Sequence, residues 1–96
     1  MENVNSYSGL FIITPEKVDS VEDVKKSIHS VITENSGNIV KTNMLGKKTL
    51  AYPINKKTEG VYCEVIFDAP PEAVAAMNRL FQINNDLLRA LITRQK

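Results

Sequence analysis

The sequence is short of the residue types that most often announce chemistry. Its single cysteine, Cys63, excludes an internal disulfide. With His29 as the sole histidine, a Cys/His zinc cluster is excluded as well, and no metal site or cofactor is expected. Long apolar runs are absent: Leu10-Phe11-Ile12-Ile13 is far below the ~20 residues of a membrane helix. The opening Met1-Glu2-Asn3-Val4-Asn5 lacks the basic-then-apolar order of a secretion signal, so a soluble intracellular protein is expected, with no membrane partner. Excess charge of one sign is missing too. Twelve Lys and Arg stand against 11 acids, for a net charge of +1, so the overall balance does not advertise nucleic-acid binding.

What is present is an ordinary globular composition, 43% hydrophobic and 24% charged, over 96 residues. One domain over 1–96 is expected, with its ordered core at about 7–94. The charges are distributed unevenly. Lys41, Lys47, Lys48, Lys56 and Lys57 occupy a stretch without an acid, whereas residues 15–23 carry Glu16, Asp19, Glu22 and Asp23 against Lys17.

Periodicity orders the chain. Residues 7–14 are aromatic and β-branched and end at Pro15, which predicts a central strand. Val21, Val24, Ile28, Val31 and Ile32 recur at helical spacing, with Ser20 as candidate N-cap and Gly37 as stop, which predicts a helix from about 20 to 35. Residues 38–54 suit a long strand, bent or bulged at Gly46, and Pro53 confines it to an edge. Residues 55–60 read as a polar hairpin loop. Val61, Cys63, Val65 and Phe67 alternate with Tyr62, Glu64 and Ile66 in a second central strand. Pro71 near a helix start precedes the stripe Val74, Met77, Leu80 and Phe81. Asn84 and Asn85 read as a turn, and 87–94 as a last strand. The order predicts an α+β, ferredoxin-like βαββαβ fold, a four-stranded antiparallel sheet with two helices on one face. The other face is left bare, and its apolar residues suggest a partner surface.

The most specific stretch is Gly46-Lys47-Lys48-Thr49-Leu50-Ala51-Tyr52-Pro53-Ile54-Asn55-Lys56-Lys57, followed by Gly60-Val61-Tyr62. It resembles the signature of the small-subunit ribosomal protein six family. The likeness extends to Ala69-Pro70 and to Ile83-Asn84 with Leu87-Leu88-Arg89, Leu91 and Ile92, and spans the chain from Tyr7 to Arg94. The chain departs from the family pattern at Asn5, Ser6 and Ser8, and at Thr42, Asn43 and Met44. The resemblance implies a ferredoxin-like structural constituent of the small ribosomal subunit that supports platform assembly and translation. It further implies binding to the central domain of small-subunit ribosomal RNA together with small-subunit protein eighteen, and cytoplasmic location unless the ribosome is organellar. Neither catalysis, a catalytic residue nor a small-molecule substrate is implied.

Candidate RNA-binding residues are Lys47, Lys48, Tyr52, Asn55, Lys56, Lys57, Arg89 and Arg94. Lysines displace counterions from phosphates, but they also guard edge strands against aggregation. Tyr52 suits base stacking or a half-buried place on the sheet equally. Arg89 suits a phosphate, or a pair with Glu64 across the sheet. Arg94, Gln95 and Lys96 form a basic tail or a frayed terminus. Tyr7, Leu10, Ile12, Tyr62 and Ile66 are the candidates for contact with a protein partner. Cys63 belongs in the core as a small hydrophobe, and His29 at the boundary of its helix. Rival readings are an RNA-recognition-motif-like module, which Glu64 on the bare face disfavours, and an acylphosphatase-like enzyme. The latter lacks the anion-binding arginine in Thr14-Pro15-Glu16-Lys17. A small-molecule sensor is disfavoured for want of a Gly-rich strand–helix turn.

Overall fold

The computed structural model describes residues 4–54, 56–84 and 86–95, with Val18 described in its backbone only. Asn55, Asn85 and Lys96, named above for RNA contact, a turn and a basic tail, lie outside the described residues. Strand β1 (Asn5–Ile13) is followed by a 3-10 helix (Pro15–Ser20) and helix α1 (Val21–Glu34). Strands β2 (Asn38–Ile54) and β3 (Lys57–Ala69) form a long hairpin, and helix α2 (Pro71–Gln82) leads to β4 (Leu87–Gln95). The sheet order is β2-β3-β1-β4 and every pairing is antiparallel. This is the expected ferredoxin-like arrangement, with β1 and β3 central and the Pro53-bearing strand at an edge.

Strand parity explains the core. Successive strand side chains point to opposite faces, so the odd-numbered residues of β1 and β3 share one side. Phe11, Ile13, Cys63, Val65, Phe67 and Ala69 pack there against Val24, Ile28 and Ile32 of α1 and Met77 and Phe81 of α2. Phe11 meets Phe81 edge-on at 4.7 Å between ring centroids, fastening α2 to β1. Burial of each of these large side chains contributes roughly 1.5–3 kcal/mol. Cys63 is in this layer, fully buried, and burial pushes its thiol up.

Tyr7 obeys the same parity. It stacks on Phe67 at 5.7 Å and is 7% exposed. Its assignment to a partner surface is therefore corrected: an odd-numbered β1 residue faces the helices.

Several local expectations shift. Ser20 precedes α1 but makes no side-chain capping bond, because the 3-10 helix runs directly into α1. After α1 the left-handed residue is Ser36 (φ 68), and the Gly37 amide closes onto the Ile32 carbonyl at 2.8 Å. Part of the polar loop predicted over 55–60 is strand instead: Lys57 pairs with Ile54 and Glu59 with Thr49. Residues 57–59 are all polar, so no apolar alternation marks them as strand. The turn uses Lys56 at φ 66, the left-handed geometry of tight hairpins.

Strand β2 slips register three times, between Ile39 and Lys41, Met44 and Gly46, and Thr49 and Ile54. Gly46 has φ +91, a conformation that costs a residue with a Cβ dearly, so the predicted bend falls there. The third slip is the largest. It lifts residues 50–53 out of the β3 ladder, and its consequences reach the other face of the sheet.

Candidate nucleic-acid and protein interface

The even-numbered face of the sheet carries no helix. Three rows cross its inner strands. Ser8 stands between Ile66 and Thr93, Leu10 between Glu64 and Leu91, and Ile12 between Tyr62 and Arg89. Leu10, Tyr62 and Ile66 are half-buried and Leu91 is exposed, so these stand where sequence patterning put them or beside it. Ile12 differs. It is 6% exposed, in an isolated chain with no helix above it. The displaced segment of β2 explains this. Leu50 is itself buried and packs over Gly60, and a Cβ added at Gly60 would lie 2.4 Å from Ile12 Cγ2. The chain thus covers one end of its own bare face, and Ile12 is removed from the exposed partner surface.

Tyr52, in the same segment, reaches across to β4. Arg89 donates from Nη1 to the Tyr52 hydroxyl at 3.3 Å, with its guanidinium carbon 5.9 Å from the ring centroid. Of the two partners the sequence offers Arg89, a phosphate or Glu64, the pairing with Glu64 does not form. The Glu64 carboxylate instead accepts from Ser8 Oγ at 3.3 Å and from Asn43 Nδ2 at 3.1 Å, which hold it on its own rows. Ile12, Leu50, Tyr52, Ile54, Tyr62 and Arg89 surround a cavity of about 130 Å³ beneath the segment. Tyr52 remains 58% exposed, so its ring is open to a ligand although its hydroxyl is engaged.

The lysines gather at the same end. Lys47 and Lys48 pair with Val61 and Gly60 on β3, three or four residues from Lys57, which puts the two basic pairs roughly 10–14 Å apart along the strand. Lys48 lies over the Tyr62 ring, 5.7 Å from its centroid. Lys47 is 3.7 Å from Glu59, and Lys57 forms an ion pair with Glu16 of the 3-10 helix. The hydrogen bond and charge of Lys57 hold the Glu16 carboxyl below its usual range. Lys56 is exposed at the turn. Arg94 is not part of this group: it donates to Asn5 Oδ1 at 3.3 Å at the far end of the sheet, where β4 stays paired with β1 to Gln95 rather than fraying.

Glu16, Glu59 and Leu50 are the site residues that sequence reasoning passed over. Glu59 stood in plain view beside the lysines. The approach of Glu16 to Lys57 joins distant parts of the chain and had no local signal. His29 shares a 2.9 Å hydrogen bond with Thr42 on β2, and burial, then the charge of Lys25, lowers its pKa. Among the described residues no group of three or more His, Cys, Asp or Glu side chains is placed to hold a metal ion, and no helix is long and apolar enough to cross a membrane.

Comparison with known proteins bears on the family and the fold. Residues 6–94 match the family described as Ribosomal protein S6. The small ribosomal subunit protein bS6 of Desulforamulus reducens is 36% identical over 93 residues, covering 96% of this chain and 98% of that protein. Its counterpart in an Exiguobacterium species is 38% identical over 97 residues, covering 97% and 99%. These relatives are named as ribosomal components, not enzymes. The crystal structure of 30S ribosomal protein S6 from Thermotoga maritima superposes with a TM-score of 0.89 at 23% identity, over 97% of this chain and 89% of that one. The C-terminal domain of the MgtC protein from Mycobacterium tuberculosis shares the fold at a TM-score of 0.67 and 9% identity, over 99% and 92% of the two chains. Fold likeness alone therefore leaves function open, and the sequence relationship decides it: this chain belongs to the ribosomal protein S6 family of the small ribosomal subunit.

Proposed function

We propose that this chain is a structural constituent of the bacterial-type small ribosomal subunit in the cytoplasm, where it binds the central domain of the small-subunit ribosomal RNA jointly with small-subunit protein eighteen. The observation that carries this reading is the adjacency of two unlike surfaces. A half-apolar, helix-free sheet face centred on Leu10, Ile66 and Tyr62 borders a hairpin that presents Lys47, Lys48, Lys56 and Lys57 beside Tyr52 and Arg89. The first surface suits a protein neighbour, because exposed apolar patches mark association sites. The second suits RNA, because ammonium groups displace counterions from phosphates and aromatic and guanidinium planes stack on unpaired bases. Asn55 belongs to the hairpin by sequence, and Arg94 would extend the RNA contact only to the opposite end of the sheet.

With a net charge of +1 and two of the hairpin lysines already facing acids, few phosphates are neutralised by this chain alone. Affinity for RNA is therefore expected to be weak in isolation and strong with the partner. Filter binding to a central-domain RNA, titrated with and without small-subunit protein eighteen, tests this. Equal affinity in both arms refutes joint binding, and failure to co-sediment with small subunits refutes the ribosomal role itself.

A further inference from the structure

Lys47 and Lys57 do not stand free in solution. Lys57 contacts the Glu16 carboxylate, which arrives from the 3-10 helix after β1, and Lys47 lies 3.7 Å from Glu59 on the neighbouring strand. A carboxylate against an ammonium group sits where a phosphate oxygen would sit. We infer that Glu16 and Glu59 are internal competitors of RNA, holding two of the hairpin lysines until correctly placed phosphates displace them, and thereby set selectivity against unrelated RNA. This rests on the RNA-binding reading above.

Several features support it. Both acids are surface groups, Glu59 49% and Glu16 65% exposed, so neither is needed to fill the core. Glu16 is positioned rather than incidental. Its helix is anchored at one end by the Thr14 amide, which donates to the Asp86 carbonyl at 2.9 Å, and by Lys17, 3.7 Å from the Asp86 carboxylate. Lys48 and Arg89 are engaged differently, with the Tyr62 and Tyr52 rings. An aromatic face leaves a cation's charge available to phosphate, whereas a carboxylate cancels it. The basic end of the sheet is thus divided into cations that answer any polyanion and cations that must first be released.

Exposed ion pairs are weak and exchange readily, so the competition is one that phosphate can win. On an unrelated RNA, binding is electrostatic throughout and the full cost of release is felt. On the cognate RNA with the partner in place, oriented phosphates offset it.

The test is the double variant Glu16→Gln with Glu59→Gln in the full chain, checked for an unchanged thermal midpoint. Affinity is measured against salt for a central-domain RNA with small-subunit protein eighteen, and for an unrelated duplex RNA of equal length. Each cation freed for phosphate steepens the plot of log affinity against log salt by up to about 0.9, and the double variant is expected to bind unrelated RNA about tenfold tighter at moderate salt. A smaller gain is expected on the cognate complex. In a Lys57→Gln background, Glu16→Gln should leave the slope unaltered, which separates local competition from a general change in charge. An unchanged slope in a chain that does bind RNA overturns the inference and leaves the functional reading intact. Equal gains on both RNAs overturn the role in selectivity. Loss of preference for the cognate RNA by the unaltered chain with its partner overturns the functional reading, and the inference with it.

Discussion

The two faces of one sheet follow the same period-two alternation and end in different states. On the helix-covered face Phe11, Cys63, Val65 and Phe67 are fully buried and belong to one hydrophobic cluster. On the other, Leu10, Tyr62 and Ile66 keep part of their surface in water and share their rows with Ser8, Asn43 and a hydrogen-bonded Glu64. The covered face holds the fold together. The bare face retains apolar surface that the chain has not used, and that is what makes it suited to a neighbour. The boundary between these roles is not the sheet plane everywhere. Residues 50–53 leave the ladder and bury Ile12 from the bare side, so one corner of the open face behaves as core.

Substitutions at adjacent positions test the contrast most sharply. Phe67→Ala is expected to cost about 3–5 kcal/mol, since it deletes a fully buried ring stacked on Tyr7. Ile66→Ala, one residue away on the bare face, should cost about 1 kcal/mol or less. Urea midpoints at constant slope measure both, and equal losses would show that the two faces are not distinct in the free chain. Next comes the corner. Gly60→Ala drives a methyl to 2.4 Å from Ile12 Cγ2 and is expected to cost about 1–3 kcal/mol. Combining it with Ile12→Ala should recover part of that loss, and strictly additive losses would break the link between Gly60 and the cover over Ile12.

The smallest effect concerns α1 against the edge strand. Burial, with Lys25, holds the His29 pKa below its ordinary 6.5. The unfolded chain therefore takes up the proton more readily. The contribution of His29 to stability is present above about pH 6.5 and declines as pH falls from there through the folded-state value. A plot of thermal midpoint against pH for His29→Gln should accordingly be flatter in that window than for the unaltered chain. Parallel plots would mean that burial and Lys25 do not hold the folded-state imidazole below its ordinary value.

Much of this architecture was legible before any coordinates. The bounds of β2 agree residue for residue with the pattern read from Asn38 to Ile54, because Gly37, Gly46 and Pro53 act on the backbone locally. Pro53 placed β2 at an edge, and Pro71 opened α2, for reasons contained in the proline ring. The helix stripes were visible for the same reason: a side chain three or four positions on is a neighbour whatever the rest of the chain does. The site was read less completely. Lys47, Lys48, Lys56, Lys57, Tyr52 and Arg89 stand out in the sequence as candidates, yet the sequence offers Arg89 only a phosphate or Glu64 and offers the buried Tyr7 and Ile12 to a partner.

Those errors share one origin. Backbone stereochemistry and the spacing of apolar residues act between near neighbours, so the string of residues is enough to establish elements, their order and the existence of an uncovered face. Which acid meets Lys57, what lies over Ile12 and where the Arg89 guanidinium rests depend on register slips in β2 and on contacts between segments far apart in the chain. Such contacts come into being only when the sheet is assembled, and no local pattern encodes them.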